Sequence, residues 1–320
     1  LRQYDLQGNL LDSVTLGPKF GGGLVVDPLT GDLLVGDHTD LKRYNQSTRE
    51  LTTEPFPEIL ANISYMSLRG KTLVITDSDR GKVFEYDLVS KQIIARYGAE
   101  EAVSAVVTYL EPTANGLLML DNQTPRILSL SDNAIRVVAG TGDQAVAVPG
   151  RKARESSLYF PNAVAAQADG TIFFVDANHR IMKIGRDGTI ERYAGTTEPG
   201  YSGDGGNRLD ARFLSIYGIE ATTNGSLLVA DSYNNAIRMI APDGTVSTIA
   251  GNGKAGISND AADAQGALNN PNRVLATADG RILIADSWNN RVVELLPNGS
   301  LVTIAGIGSE QNYQGLGGFS

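Results

Sequence analysis

The sequence predicts an all-β fold, a β-propeller built from four-stranded blades, and three observations predict it. A short apolar strand that ends in Asp, a polar corner and a second apolar strand recur six times along the 320 residues. Successive copies are 40, 44, 55, 55 and 55 residues apart. Each copy lies within a longer unit of strand-like segments, and a repeat of this length is typical of a propeller. The recurring residues are Asp37, Asp77, Asp121, Asp176, Asp231 and Asp286.

One unit, residues 213–251, shows the plan of a blade. Its first two apolar segments are separated by Asn224-Gly225, a strong hairpin sequence. The second segment is continuously apolar, which predicts a buried strand, whereas the fourth alternates polar and apolar residues, which predicts an exposed outer edge. The four predicted strands, a to d, are 216–222, 226–231, 236–241 and 245–251.

We expect a single domain over residues 1–320. Residues 1–17 match strands c and d of a unit and predict an outer half-blade hairpin. Two closures fit this pattern: six blades with an extra hairpin, which we favour, or seven blades, with the inner strands of the seventh supplied by sequence after Ser320. Because the chain begins at Leu1 rather than Met, we expect it to be part of a larger protein. The predicted units cover about 20–54, 62–98, 102–140, 158–196, 213–251 and 268–306.

Composition narrows the classes of partner and chemistry. The net charge is −9 and the pI is about 4.8, which argues against nucleic acid, because phosphate contacts need clustered Lys and Arg. No run of 18 apolar residues is present, so we expect no direct membrane insertion. The chain has no Cys, which excludes disulfides, thiolate catalysis and cysteine-ligated zinc. We expect no cofactor.

The six aspartates are interpreted as structural rather than catalytic. A functional site occurs once, whereas these residues occur in every unit. An Asp at the end of a strand can accept hydrogen bonds from backbone N–H groups of the turn that follows it. The Asn and Arg residues of the corners are expected to complete the same local network.

The corners of the last two units carry a pattern that resembles the NHL family. They read Ala230-Asp231-Ser232-Tyr233-Asn234-Asn235 and Ala285-Asp286-Ser287-Trp288-Asn289-Asn290-Arg291-Val292. The resemblance is strong over 158–306 and weak over 18–140, and Ala163 and Arg273 stand where strand a usually has Gly. It implies a propeller that serves as a ligand-binding module or sensor ectodomain, and hence an extracellular or periplasmic location. A minority of such propellers are enzymes.

The candidate binding site is expected on one side of the blades. Strands within a blade are antiparallel, so the corners between strands b and c share a side with the long loops that join strand d to the next strand a. We call this side the corner face, and the side with the short a–b and c–d turns the turn face. Long loops on a rigid scaffold are where binding usually occurs. The candidates on corners and loops are His179, Tyr201, Tyr233 and Trp288, and those at the starts of strand a are Asn162, Tyr217, Asn272 and Arg273.

Each candidate has a structural interpretation as well. Tyr233 and Trp288 could stack on a sugar or peptide, or simply cover a neighbouring loop. Arg273 could bind an anion with its planar guanidinium, or pair with a nearby carboxylate. The two histidines, His38 and His179, fall in different units, so we expect no shared metal site.

Three functions compete on these grounds. We favour a non-catalytic binding or sensor propeller whose protein, peptide or carbohydrate ligand lies on the corner face. The alternative is a lyase or lactonase type of propeller enzyme with a divalent metal on its axis. A purely architectural module within a larger protein is the third.

Overall fold

The chain forms six four-stranded antiparallel sheets, the blades of a six-bladed β-propeller, as the repeats predict. In this computed structural model the structure describes residues 2–4, 10–13, 23–98, 107–113, 116–177, 179–257, 266–277 and 279–306. Within each blade, neighbours in sequence are neighbours in the sheet, so strands a to d run in order across it. Among the described residues, no helix is long and apolar enough to cross a membrane.

The strands are short, and in the part of the chain that the structure describes they are accompanied by three single-turn 3-10 helices. The first two strands form a separate two-stranded sheet: β1 (Arg2–Tyr4) and β2 (Leu10–Ser13). Blades one to three contain β3 (Leu24–Val26), β4 (Leu33–Asp37), β5 (Asp40–Asn45), β6 (Glu50–Thr53), β7 (Ile63–Arg69), β8 (Thr72–Asp77), β9 (Lys82–Asp87), β10 (Gln92–Tyr97), β11 (Val107–Thr113), β12 (Gly116–Asp121), β13 (Arg126–Ser131) and β14 (Ala134–Ala139). Blades four to six contain β15 (Val164–Ala166), β16 (Ile172–Asp176), β17 (Arg180–Ile184), β18 (Ile190–Ala194), β19 (Ile216–Ala221), β20 (Leu227–Asp231), β21 (Ala236–Ile240), β22 (Val246–Gly251), β23 (Pro271–Ala276), β24 (Ile282–Asp286), β25 (Arg291–Leu295) and β26 (Leu301–Gly306). The 3-10 helices are Ala153–Glu155, Ser232–Asn234 and Ser287–Asn289.

Burial follows the position of a strand within its blade. Every residue of β12 and of β20 is buried, because both faces of a second strand are covered. The fourth strand β10 alternates exposed and half-buried residues, as expected for an outer edge with one face in water. The apolar runs that the sequence places in strand b are therefore core, and the alternating pattern of strand d marks the rim.

The chain packs into two compact units. The N-terminal unit includes Asp12–Asn162 and Ile184–Glu191, and the C-terminal unit includes Ala163–Lys183 and Arg192–Ser320. Each unit has apolar clusters between successive blades. In the C-terminal unit, Phe173 and Phe213 belong to the cluster between blades four and five. In the N-terminal unit, Phe84 belongs to the cluster between blades one and two.

Candidate functional site

A buried network centred on Asp231 builds the corner of blade five. The Leu214 N–H donates to Asp231 Oδ1 at 2.7 Å, and Asn234 Nδ2 contacts both carboxylate oxygens at 3.0 and 2.9 Å. Arg238 Nη1 donates to Oδ2 at 3.2 Å. From the sequence we expect a backbone donor in the turn after the aspartate. Leu214 instead precedes strand a, so the carboxylate joins the two ends of the first hairpin.

The same construction recurs with variations. Asp286 accepts from the Asn269 N–H at 2.7 Å and from the side chains of Asn289 and Arg291, both at 2.8 Å. Asp77 also accepts from backbone that precedes strand a, at 2.9 and 3.0 Å. Asp121 differs in its backbone donor, because it accepts from the Thr124 N–H of the turn that follows it, at 3.1 Å. The aspartates hold the corners in place, in agreement with their structural interpretation.

Arg238 fastens the long loop before blade five to this corner. Its guanidinium is fully buried, and Nη2 donates to Asp204 Oδ1 at 2.8 Å and to the Ser202 carbonyl at 3.1 Å. The guanidinium carbon also lies 5.1 Å from the ring centre of Tyr201 and 5.4 Å from that of Phe213. The loop therefore has a defined position, and Tyr201 remains 42% exposed upon it.

Gly251 lets the end of strand d pass close to the corner. It has a φ of +84°, and a Cβ there would lie 2.2 Å from the carbonyl oxygen of Asn235. Gly306 repeats this relationship, with a φ of +91° and a distance of 2.2 Å to the Asn290 oxygen. Only glycine fits this approach, because any side chain would meet the corner backbone.

The corner of blade five presents a pair of tyrosines. Tyr233 is 50% exposed, and its ring meets Tyr217 edge to face, with centroids 5.8 Å apart and an interplanar angle of 89°. Tyr217 occupies a β-bulge between Ile216 and Gly218, a feature that re-aims a side chain. Burial, together with interaction with Tyr233, raises the pKa of Tyr217 to about 12, so the Tyr217 hydroxyl keeps its proton at physiological pH.

Asn272 occupies the corresponding bulge in the first strand of blade six, between Pro271 and Arg273. Its Oδ1 is buried and accepts no hydrogen bond within the described residues. The corner of blade five is tied to this point, because Ser232 Oγ donates to the Pro271 carbonyl at 2.7 Å. The structure thus joins the corner that carries Tyr233 to the strand that carries Asn272.

Arg273 lies beside a carboxylate on the adjacent first strand. Burial raises the pKa of Glu220 to about 7, against the opposing effects of the Ala276 N–H and the Arg273 charge. Arg273 itself is half-buried.

The remaining candidates occupy other positions on the blades. Trp288 is 55% exposed in the corner of blade six, and its backbone N–H donates to the Asn269 carbonyl at 3.1 Å. His179 is half-buried, with Nε2 3.1 Å from the Thr197 carbonyl. Asn162 belongs to the N-terminal unit and is half-buried there.

Two charged residues that support the site, Arg238 and Glu220, were not predicted from the sequence. Each is a lone charged residue within an otherwise apolar strand segment, AIRMI and IYGIEA respectively. A charge in such a context indicates a buried partner, because burying an unpaired charge is costly. That signal was available in the sequence. Within the described residues, no group of three or more His, Asp or Glu side chains is placed to hold a metal ion.

The turn face carries concave surfaces as well. In the C-terminal unit, Met239, Ile249 and Leu295 are among the residues lining a groove of about 490 Å³ beside the turns of blade six. In the N-terminal unit, a polar cleft of about 700 Å³ lies at the turns of blades two and three.

Comparison with known proteins establishes the class of fold. No protein-family profile matches the chain. Virginiamycin B lyase from Staphylococcus aureus superposes with a TM-score of 0.61 at 16% identity, covering 90% of this chain and 84% of that one. An auxiliary nutrient binding protein from Bacteroides thetaiotaomicron gives 0.58 at 14% identity, covering 89% and 70%. The extracellular domain of a one component system from the same species gives 0.60 at 14%, covering 88% and 34%.

A sequence relative is mouse Teneurin-1, which is 29% identical over 153 residues. The match covers 41% of this chain and 6% of Teneurin-1, so it concerns a small part of a much longer protein. At these identities the likenesses show the fold, and the chain is a six-bladed β-propeller.

Proposed function

We propose that this chain is a non-catalytic binding or sensor propeller of the NHL type, whose ligand occupies the corner face of the C-terminal unit. The observation that carries the proposal is the exposure of three aromatic side chains on that face. Tyr201, Tyr233 and Trp288 are 42%, 50% and 55% exposed. Aromatic side chains of this kind are the usual anchors of a binding surface.

These rings stand on a framework that leaves them little freedom. The backbone beneath Tyr233 is fixed by the Asp231 network and by the bond from Ser232 to Pro271. Tyr201 packs over the buried Arg238. A surface held in place before binding loses less entropy when a ligand arrives.

A protein, peptide or carbohydrate ligand fits this surface best. Exposed tyrosine and tryptophan rings combine apolar faces with hydrogen-bonding edges, which suits sugar rings and peptide side chains alike. Two similar structures are, by name, a nutrient binding protein and the extracellular domain of a one component system. By analogy we propose an extracellular or periplasmic location and a place within a larger protein.

The alternative is a propeller enzyme with an axial divalent metal, and the structural likeness to a lyase favours it. Such a metal needs several oxygen or nitrogen donors around one point. No such group of three gathers in the described part of the chain, so we derive no metal-dependent step. Stoichiometric metal in untagged protein, measured by mass spectrometry, would favour the enzyme over the binding module.

The experiment that tests the binding proposal is a screen of glycans and peptides followed by hydrogen-exchange mapping. We expect protection in residues 196–213 and in the corners that carry Tyr233 and Trp288. Trp288→Ala and Tyr233→Ala should weaken binding, whereas Val89→Ala, which trims an exposed apolar side chain on a turn of the N-terminal unit, should not. Protection confined to the short turns would overturn the proposal.

A further inference from the structure

The polar cleft of the N-terminal unit has the construction of a second binding site. It measures about 700 Å³, and its described lining is Leu68, Arg69 and Gly70 of blade two with Pro112, Thr113, Gly116, Ser131 and Asp132 of blade three. Arg69, Thr113, Ser131 and Asp132 supply its polar lining. Volumes of this order hold small molecules in other proteins.

A buried carboxylate holds Arg69 in the wall of this cleft. Arg69 Nη2 donates to Glu85 Oε2 at 2.5 Å, and the hydroxyl of Tyr97 donates to the other carboxylate oxygen at 2.8 Å. The side chain of Glu85 is fully buried, whereas that of Arg69 is 29% exposed. Within the described residues the hydrogen bonds of Arg69 leave from Nη2, and its side chain forms part of the cleft lining.

The opposite wall is a turn with a fixed backbone. Asp132 and Asn133 both have left-handed conformations, with φ of 49° and 55°. Asn133 Oδ1 lies 3.5 Å from Arg69 Nη2, and Arg136 Nη1 donates to Ser131 Oγ at 3.2 Å. The lining thus has supporting contacts behind it, the arrangement that keeps a binding site preorganised.

Arg69, the cationic residue of the cleft lining, is neutralised by the buried carboxylate of Glu85. An anion would therefore meet no uncompensated positive charge among the described lining residues, so a neutral ligand is favoured over an anion. The wall offers guanidinium donors, a carboxylate acceptor and hydroxyls that do both, which matches a molecule bearing several hydroxyl groups.

We propose that this cleft binds a small neutral polyhydroxylated molecule of monosaccharide or disaccharide size, with Arg69 as donor and Asp132 as acceptor. The site is independent of the aromatic surface on the corner face. Binding at this site would also explain why the Glu85 carboxylate is buried between two blades. Burying a charge is costly, and apolar side chains would stabilise the fold equally well.

The test is saturation-transfer NMR on the full chain with glucose, galactose, mannose, N-acetylglucosamine, maltose and cellobiose as probes. We expect at least one sugar to give a signal, and Arg69→Gln and Asp132→Ala each to weaken its binding by about tenfold or more. Arg96→Gln is the matched control, because Arg96 is an exposed arginine of the same blade that contacts Glu58. It should bind as the unchanged protein does, and so should Trp288→Ala.

Asp132 lies exposed on its turn, so its variant keeps the test decisive even where Arg69→Gln impairs folding, which thermal melting will show. The proposal is overturned by a panel without any signal, by binding that survives Asp132→Ala, or by binding lost only in Trp288→Ala, which would assign the sugar to the corner face.

Discussion

Arg238 and Asp231 form an ion pair in which both side chains are fully buried, with Nη1 3.2 Å from Oδ2. The second nitrogen of the same guanidinium reaches Asp204 Oδ1 at 2.8 Å. One arginine therefore joins the end of strand b to the loop before strand a. Such pairs contribute little net stability compared with apolar packing, but losing one partner leaves an uncompensated charge in the interior. The pair is best understood as the device that positions the loop carrying Tyr201.

Replacing Asp231 by Ala should destabilise the chain strongly. The change leaves the Leu214 N–H, the Asn234 amide and the Arg238 guanidinium without their acceptor. We expect a loss of about 3–5 kcal/mol in the free energy of unfolding, the usual cost of breaking a buried pair. Urea unfolding measures it, with exposed Asp279→Ala as the control. Full stability in Asp231→Ala together with loss of a ligand would make the aspartate a functional residue.

Gly251→Ala should be far more damaging than Gly188→Ala. Both glycines have positive φ, of +84° and +74°, so the backbone strain is similar. A Cβ at Gly251 would lie 2.2 Å from the Asn235 oxygen, whereas a Cβ at Gly188 meets nothing within 4 Å. We expect Gly188→Ala to cost about 1 kcal/mol and Gly251→Ala several times more. Equal melting temperatures for the two variants would show that the close approach is unimportant.

The repeats made the blades predictable, whereas contacts between residues far apart in the chain did not follow from them. The segments proposed for residues 213–251 agree closely with β19 to β22, because alternation and tight turns are local signals. The partner of Asp231 was misplaced because the Leu214 N–H comes from before strand a and reaches the carboxylate only after the hairpin folds. Tyr217 and Asn272 were found by alignment of the units, but the bulges that turn them were not visible in the pattern.

The stability of the chain should depend on the protonation of Glu220. Its pKa is raised from 4.5 to about 7 in the folded state, chiefly by burial. The folded protein thus holds the Glu220 proton more tightly than the unfolded chain does. The stabilisation that this proton contributes is fully present below about pH 4.5 and is lost as the pH rises through 7.

Glu220→Gln, which imitates the protonated side chain, should remove this loss. Melting temperatures measured between about pH 5 and pH 8 should fall less in the variant than in the unchanged protein. This difference should correspond to about 1–3 kcal/mol in the free energy of unfolding. Glu198→Gln removes an exposed carboxylate of the same unit and serves as the control. Identical pH profiles for Glu220→Gln and the unchanged protein would contradict the assignment.

Trp288 is the single tryptophan of the chain, and it lies on the proposed binding surface, so its fluorescence reports directly on the central claim. A ligand recovered from the glycan and peptide screen should shift the emission of Trp288 saturably, with the dissociation constant that calorimetry gives. Tyr233→Ala should raise that constant at least about fivefold, as the loss of an anchor residue does. Calorimetric binding that leaves the emission of Trp288 unchanged and survives both Tyr233→Ala and Trp288→Ala would contradict the account.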